Sequence, residues 1–196
     1  MGQTGQEVWQ RAVLNLAHAG NEYDHVTDVQ KKILLPLFKA HLKGYERTVL
    51  DFGCGPGRFT ADLANAVQGS AVGVDISRRL IDMAPRASNV TYRVLPNGIL
   101  PHDDFRFDVV WDCLVLGGIP DIAVGATAEA LEDALQSGGL LFLVESTSNR
   151  PNGTYWFFRG ANFYKSLFPR VNLRIISTYV DVDDELSILA GRKRGC

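Results

Sequence analysis

Several things are scarce in this sequence, and each scarcity closes off a class of protein. Cysteine is rare: three residues, Cys54, Cys113 and Cys196, stand far apart with no C-x-x-C pair. That spacing excludes a disulfide framework and a zinc site built on paired thiols. No apolar run approaches the length of roughly 18 residues that a membrane-spanning helix needs. Charge of one sign is not in surplus either, with 20 Lys and Arg against 22 Asp and Glu and a net charge of −2. Such a chain has no global basic field to draw in nucleic acid. The short basic run Arg192-Lys193-Arg194 reads as a solvated end. The opening MGQTGQEVWQR lacks the charged-then-apolar order of a secretory signal, so reduced thiols and a cytoplasmic location are expected. Repeats, low-complexity tracts and linkers are absent too, and 196 residues suit one domain with a full core, as a monomer or homodimer.

What is present is organised around Thr48–Thr60, TVLDFGCGPGRFT. It reads as a buried strand, a turn carrying Gly53, Gly55 and Gly57, and the start of a helix near Arg58. Glycines accept positive φ and let backbone approach a ligand closely. The helix start behind the turn offers unpaired N–H groups to an anion. The spacing is neither that of a P-loop nor the G-x-G-x-x-G of a dinucleotide turn. Asp51 stands just ahead of the glycines, where it repels a pyrophosphate and suits an amino group. A ligand bearing both an ammonium and a carboxylate fits better, and the amino-acid end of S-adenosylmethionine is one.

The same stretch, V-L-D-F-G-C-G-P-G-R-F-T, resembles the first motif of class I S-adenosylmethionine-dependent methyltransferases. Strand and helix signals alternate from residue 48 onward, which predicts βαβ units and a parallel sheet. The strands expected are Thr48–Phe52, Ala71–Val74, Val90–Leu95, one from Phe107, Leu140–Val144, Leu173–Val180 and Glu185–Ala190. The last two suit a hairpin that leaves the final strand antiparallel. The expected fold is therefore α/β, a Rossmann-like, doubly wound, seven-stranded sheet, mostly parallel with an antiparallel last strand. Residues 1–44 would form an N-terminal helical cap on a core of 45–196. In that cap two helical patterns flank a polar loop, His18–His25, with Thr27 or Asp28 capping the second helix and Pro36 kinking it.

Asp75 ends the second strand about 20 residues past the glycine turn, the spacing at which α/β folds hold a ribose hydroxyl pair. The resemblance adds the backbone of Gly53, Cys54, Gly55 and Gly57, places Ile76 and Ser77 against the adenine, and puts Asn97 where an aspartate commonly accepts from the adenine amino group. It implies S-adenosylmethionine as cofactor, a small-molecule acceptor and no metal.

Methyl transfer requires the acceptor atom to be aligned with the methyl and water to be kept out. A base helps where the acceptor is a hydroxyl or an ammonium. Asp112, at a strand's C-terminal end, is the first candidate for a base or for a contact to the cofactor's amino group; His25, Tyr23 and Glu145 are the others. Trp156, Arg159 and Tyr164 belong to an aromatic cluster that would wall the substrate pocket, with Arg159 pairing a substrate anion.

Two alternatives compete. The run Trp111-x-x-x-Val115-Leu116-Gly117-x-Ile119-x-Asp121 is similar to one in protein N-terminal (α-amino) methyltransferases, although Gly118 replaces that family's active-site histidine. A cofactor-fold binding protein without catalysis is the other, and the intact Asp51 and Asp75 argue against it. Nucleic-acid amino-methyltransferases carry N/D-P-P-Y where this chain has W-D-C-L.

Overall fold

The computed structural model describes residues 20–95, 97–100, 106–153, 156–181 and 184–195, with side chains described from Val26 onward. The first helical pattern, with Trp9 in it, lies outside those residues. The described chain begins with helix α1 (Gly20–His41), which takes in residues 20–25 of the stretch expected to be a loop. Thr27 and Asp28 therefore sit inside this helix and do not cap its start, and Pro36 does not end it. The physical reason is a continuous buried stripe of Thr27, Gln30, Leu34 and Phe38 at three-to-four spacing. Burial of that stripe outweighs the polar composition of residues 20–25.

The core alternates as the hydrophobic pattern predicts: β1 (Thr48–Phe52), α2 (Thr60–Ala66), β2 (Ser70–Asp75), α3 (Arg78–Met83), β3 (Val90–Val94) and β4 (Phe107–Cys113). A 3-10 turn (Leu116–Gly118) leads to α4 (Asp121–Ala134), β5 (Leu135–Ser146), α5 (Ala161–Leu167), β6 (Arg174–Asp181) and β7 (Asp184–Arg192). The fifth strand starts five residues earlier than expected, because Leu135 already pairs with Phe107 ahead of the Gly138-Gly139 turn.

The seven strands form one sheet in the order β3-β2-β1-β4-β5-β7-β6. Strands β1 to β5 pair in parallel, and β7 runs antiparallel to both of its neighbours, β5 and β6. This is the expected mixed sheet, and its antiparallel strand is an interior one.

Alternation along the strands fills both faces. One face packs Val49, Val109, Trp111, Phe142 and Val144 under Leu34 and Phe38 of α1 and Leu63 of α2. Trp111 stacks on Phe142 with ring centroids 4.8 Å apart. The other face packs Leu50, Phe52, Val110, Leu141 and Leu143 under Val124, Ala128 and Leu131 of α4 and Tyr164 of α5. The chain winds from β1 outward to β3, then crosses back to β4 beside β1. That reversal opens a crevice at the C-terminal ends of β1 and β4, where open α/β sheets bind ligands.

Candidate functional site

The glycine turn lies at this crevice. Gly53, Gly55 and Gly57 take φ of +66°, +56° and +78°, a region that costs a side-chain-bearing residue about 1 kcal/mol or more. Space is as restrictive as φ. A Cβ at Gly53 would overlap the Val115 side chain, and one at Gly57 would meet the Tyr92 hydroxyl at 2.5 Å. The Cys54 N–H donates to Val74 O and the Gly57 N–H to Cys54 O, both at 3.0 Å, tying the turn to β2. The Cys54 side chain is buried against Gly73, and burial pushes its thiol far above the ordinary range.

Asp51 turns inward. Its carboxylate accepts the Thr60 hydroxyl at 2.6 Å, which joins β1 to the first residue of α2. Burial pushes it up to about 7, against the Thr60 hydrogen bond and the Arg58 charge. Asp75 is half-buried at the rim. One of its oxygens accepts the Gly55 N–H at 2.9 Å and the other the Ser77 N–H at 2.8 Å. With the Ile76 amide also turned toward it, the carboxylate keeps part of its acceptor capacity for a ligand. Burial raises this carboxyl too, with the amides of Ser77, Gly55 and Ile76 opposing it. The Ser77 hydroxyl is occupied as the cap of α3, accepting from Leu80 N at 3.4 Å. Ile76 lies near Gly98, and the neighbouring Asn97 is exposed.

Behind the turn, Asp112 is the last residue but one of β4 and Glu145 the last but one of β5, and both are fully buried. Asp112 pairs with Leu143, two residues before Glu145, so both carboxylates point to the α4 and α5 face. Glu145 accepts Val115 N–H at 2.9 Å and Gly117 N–H at 3.1 Å, and Tyr164 donates to it at 3.4 Å. Neither oxygen of Asp112 has a donor among the described residues. Tyr164 is thus a buried support of Glu145. The Arg159 guanidinium is engaged within the chain, with Asp121 at 2.6 and 3.0 Å and the carbonyls of Leu116 and Ile119 at 3.0 and 2.7 Å. It also lies over the Phe157 and Phe163 rings. Trp156 packs on Gly117, above Glu145. Tyr23 and His25 fall in the first turns of α1, where side chains are not described.

Gln30 was not among the expected site residues. Its amide donates to Asp181 at 2.6 Å and accepts from Arg58 at 2.7 Å, so it ties α1 and β6 to the residue that follows the glycine turn. A polar residue on an otherwise apolar helical stripe was its signal in the sequence.

Residues 49–139 match the family model described as a methyltransferase domain. The chain is 30% identical over 132 residues to a ubiquinone biosynthesis O-methyltransferase of Nitrosomonas europaea, an alignment covering 64% of this chain and 54% of that protein. The chain thus spans about half the length of that curated relative. A structure of a DhpI–SAH complex superposes with a TM-score of 0.70 at 20% identity, covering 98% of this chain and 97% of that one. A SAM-dependent methyltransferase from Leishmania major superposes with a TM-score of 0.73 at 21% identity, covering 96% of this chain and 81% of that one.

Residues 49–139 are thus a methyltransferase domain, and the fold around them is that of the class I S-adenosylmethionine-dependent methyltransferases. The site fits the cofactor of that family on its own chemistry. A glycine cradle leaves room for backbone approach, Asp75 keeps acceptor capacity at the rim, and the orphaned Asp112 oxygens suit a cationic group behind it. Among the described residues no cluster of His, Cys, Asp and Glu could hold a metal ion, and no helix is long and apolar enough to cross a membrane.

Proposed function

We propose that this methyltransferase transfers a methyl group to an oxygen or nitrogen of a small-molecule acceptor. The observation that carries the reading is Asp112: a buried carboxylate without a donor among the described residues, near the end of β4 and paired with the residue before the glycine turn. A group so placed can bind a cation or take a proton, and methylation of a hydroxyl or amine calls for both. S-adenosylmethionine supplies an electrophilic methyl group on a sulfonium. In this reading the backbone of Gly53, Cys54, Gly55 and Gly57 and the carboxylates of Asp51 and Asp75 hold the cofactor, with Ile76, Ser77 and Asn97 beside its base. Trp156 walls the acceptor side. Arg159 and Tyr164 act from behind it, by holding the turn after β4 in place. An oxygen acceptor is supported by the O-methyltransferase named among the relatives.

The test is transfer of an isotope-labelled methyl group from S-adenosylmethionine to a panel of hydroxylated aromatics, small amines and short peptides, followed by mass spectrometry. Labelled phenols or amines are the expected products. Label found on peptide α-amino groups alone would sink the small-molecule reading.

A further inference from the structure

Two carboxylates lie buried near the C-terminal ends of β4 and β5, and the fold supplies them with unequal partners. Glu145 is anchored by two backbone amides from the turn after β4 and by Tyr164. Asp112 has no donor at all among the described residues, and the register of β4 against β5 puts the Glu145 carboxylate on the same buried face of the neighbouring strand. Water is excluded from both. Two neighbouring ionised carboxylates at low dielectric repel strongly, and a proton shared between them removes the repulsion.

Among the described residues the surroundings do not supply an alternative. Asp51 on β1 adds negative charge to Asp112. Tyr164 on α5 and Cys113 on β4 are held neutral, chiefly by burial. Arg58 acts on Asp51 and Cys113, and Arg159 is bound by Asp121. Burial and the neighbouring carboxylate accordingly push Asp112 well above the usual carboxylate range; burial also raises Glu145, against its amide hydrogen bonds.

We infer that Asp112 and Glu145 hold one proton between them, and that Asp112 receives the proton an acceptor loses on methylation, with Glu145 as its positioning residue. This rests on the methyltransferase reading above. The balance closes. A lone pair of the acceptor forms the bond to the methyl carbon, and the carbon–sulfur bond breaks with its electrons left on sulfur. The acceptor's O–H or N–H bond releases its proton to Asp112. The carboxylate pair gains one positive charge as the sulfonium loses one, so the net charge of the buried site is unchanged by transfer.

The test counts protons. Calorimetric titration of the full chain, in buffers of different ionisation enthalpy between about pH 6 and pH 8, compares S-adenosylmethionine with S-adenosylhomocysteine, its neutral thioether. A cationic ligand beside the pair favours its ionised form, so S-adenosylmethionine should release more protons than the thioether, by up to about one. The excess should vanish in Asp112→Asn. Should that variant bind neither ligand, Glu145→Gln carries the comparison: its amide donates to Asp112, holds it ionised, and also abolishes the excess. Equal release by the two ligands in the wild type would overturn the inference, as would an excess unchanged in either variant. If the wild type binds neither ligand, the methyltransferase reading itself falls, and the pair's role with it.

Discussion

The carboxylate of Asp75 accepts the backbone N–H of Gly55 at 2.9 Å, so the acidic residue that ends β2 holds the middle of the glycine turn that follows β1. One side chain thus shapes the loop and, in the proposed reading, faces the cofactor, which would couple binding to stability at this residue.

Asp75→Ala should therefore do more than weaken the cofactor. It strips the acceptor from the amides of Gly55 and Ser77. Hydrogen bonds to a charged group are worth about 1.5–3 kcal/mol, and the lower end applies at this half-exposed rim. A domain of this size should lose roughly 2–4 °C of Tm per kcal/mol. Scanning fluorimetry of the free protein beside calorimetry with S-adenosylhomocysteine checks both effects. Weakened binding at an unchanged Tm would show that the turn forms without Asp75.

Gly57→Ala tests the turn itself. The substitution faces a φ of +78° and a Tyr92 hydroxyl 2.5 Å from the new Cβ. Adding Tyr92→Phe removes the contact and leaves the strained φ. Gly57→Ala should cost about 1–3 kcal/mol, of which the double variant recovers a part. Full recovery would assign the whole cost to the clash, and none to backbone conformation.

Glu46 and Arg192 join the chain before β1 to β7 at 2.7 Å, with Glu46 1% exposed. Burial alone would raise the Glu46 carboxyl, but hydrogen bonds from backbone amides and from Arg192 outweigh it and the net shift is downward. A carboxyl lowered on folding contributes stability that is present above its unfolded value and is lost as pH falls through the folded one. Arg192→Met leaves the buried carboxylate without its cation and should destabilise by about 3 kcal/mol. Chemical denaturation above about pH 5 should show that loss in full, and the gap from wild type should narrow at lower pH. A gap constant across that range would remove the ion pair as its cause.

The site carboxylates predict the opposite slope. Asp51, Asp75, Asp112 and Glu145 are all raised, chiefly by burial, with Asp51 and Glu145 at about 7. A carboxyl raised on folding holds a proton that the unfolded chain has already released, so stability falls as pH rises from the ordinary carboxylate range toward about 7. The free protein should lose Tm between about pH 5 and pH 8, while the extra Tm conferred by S-adenosylmethionine should grow, because a cation favours the ionised forms. Thermal scans over that range decide it, and a free-protein Tm that rises steadily with pH contradicts the burial argument.

The sequence by itself determined the parts written in neighbouring residues. The strand, glycine turn and helix of Thr48–Thr60, the βα alternation and the position of Asp75 follow from hydrophobic period and backbone preference, which act locally. The tertiary structure decided what depends on partners far along the chain. Residues 20–25 read as a loop and fold as helix, because the stripe from Thr27 to Phe38 finds the sheet to pack on. Arg159 read as an anion receptor and is held by Asp121 and two carbonyls of the turn after β4. Asp112 could be named as a candidate from its place near a strand end, but its burial on one face with Glu145 could not be read. That placement is set by the register of β4 against β5 and by the depth at which both strand ends lie below solvent. Register and burial come from the assembled sheet, and no local stretch of sequence encodes them.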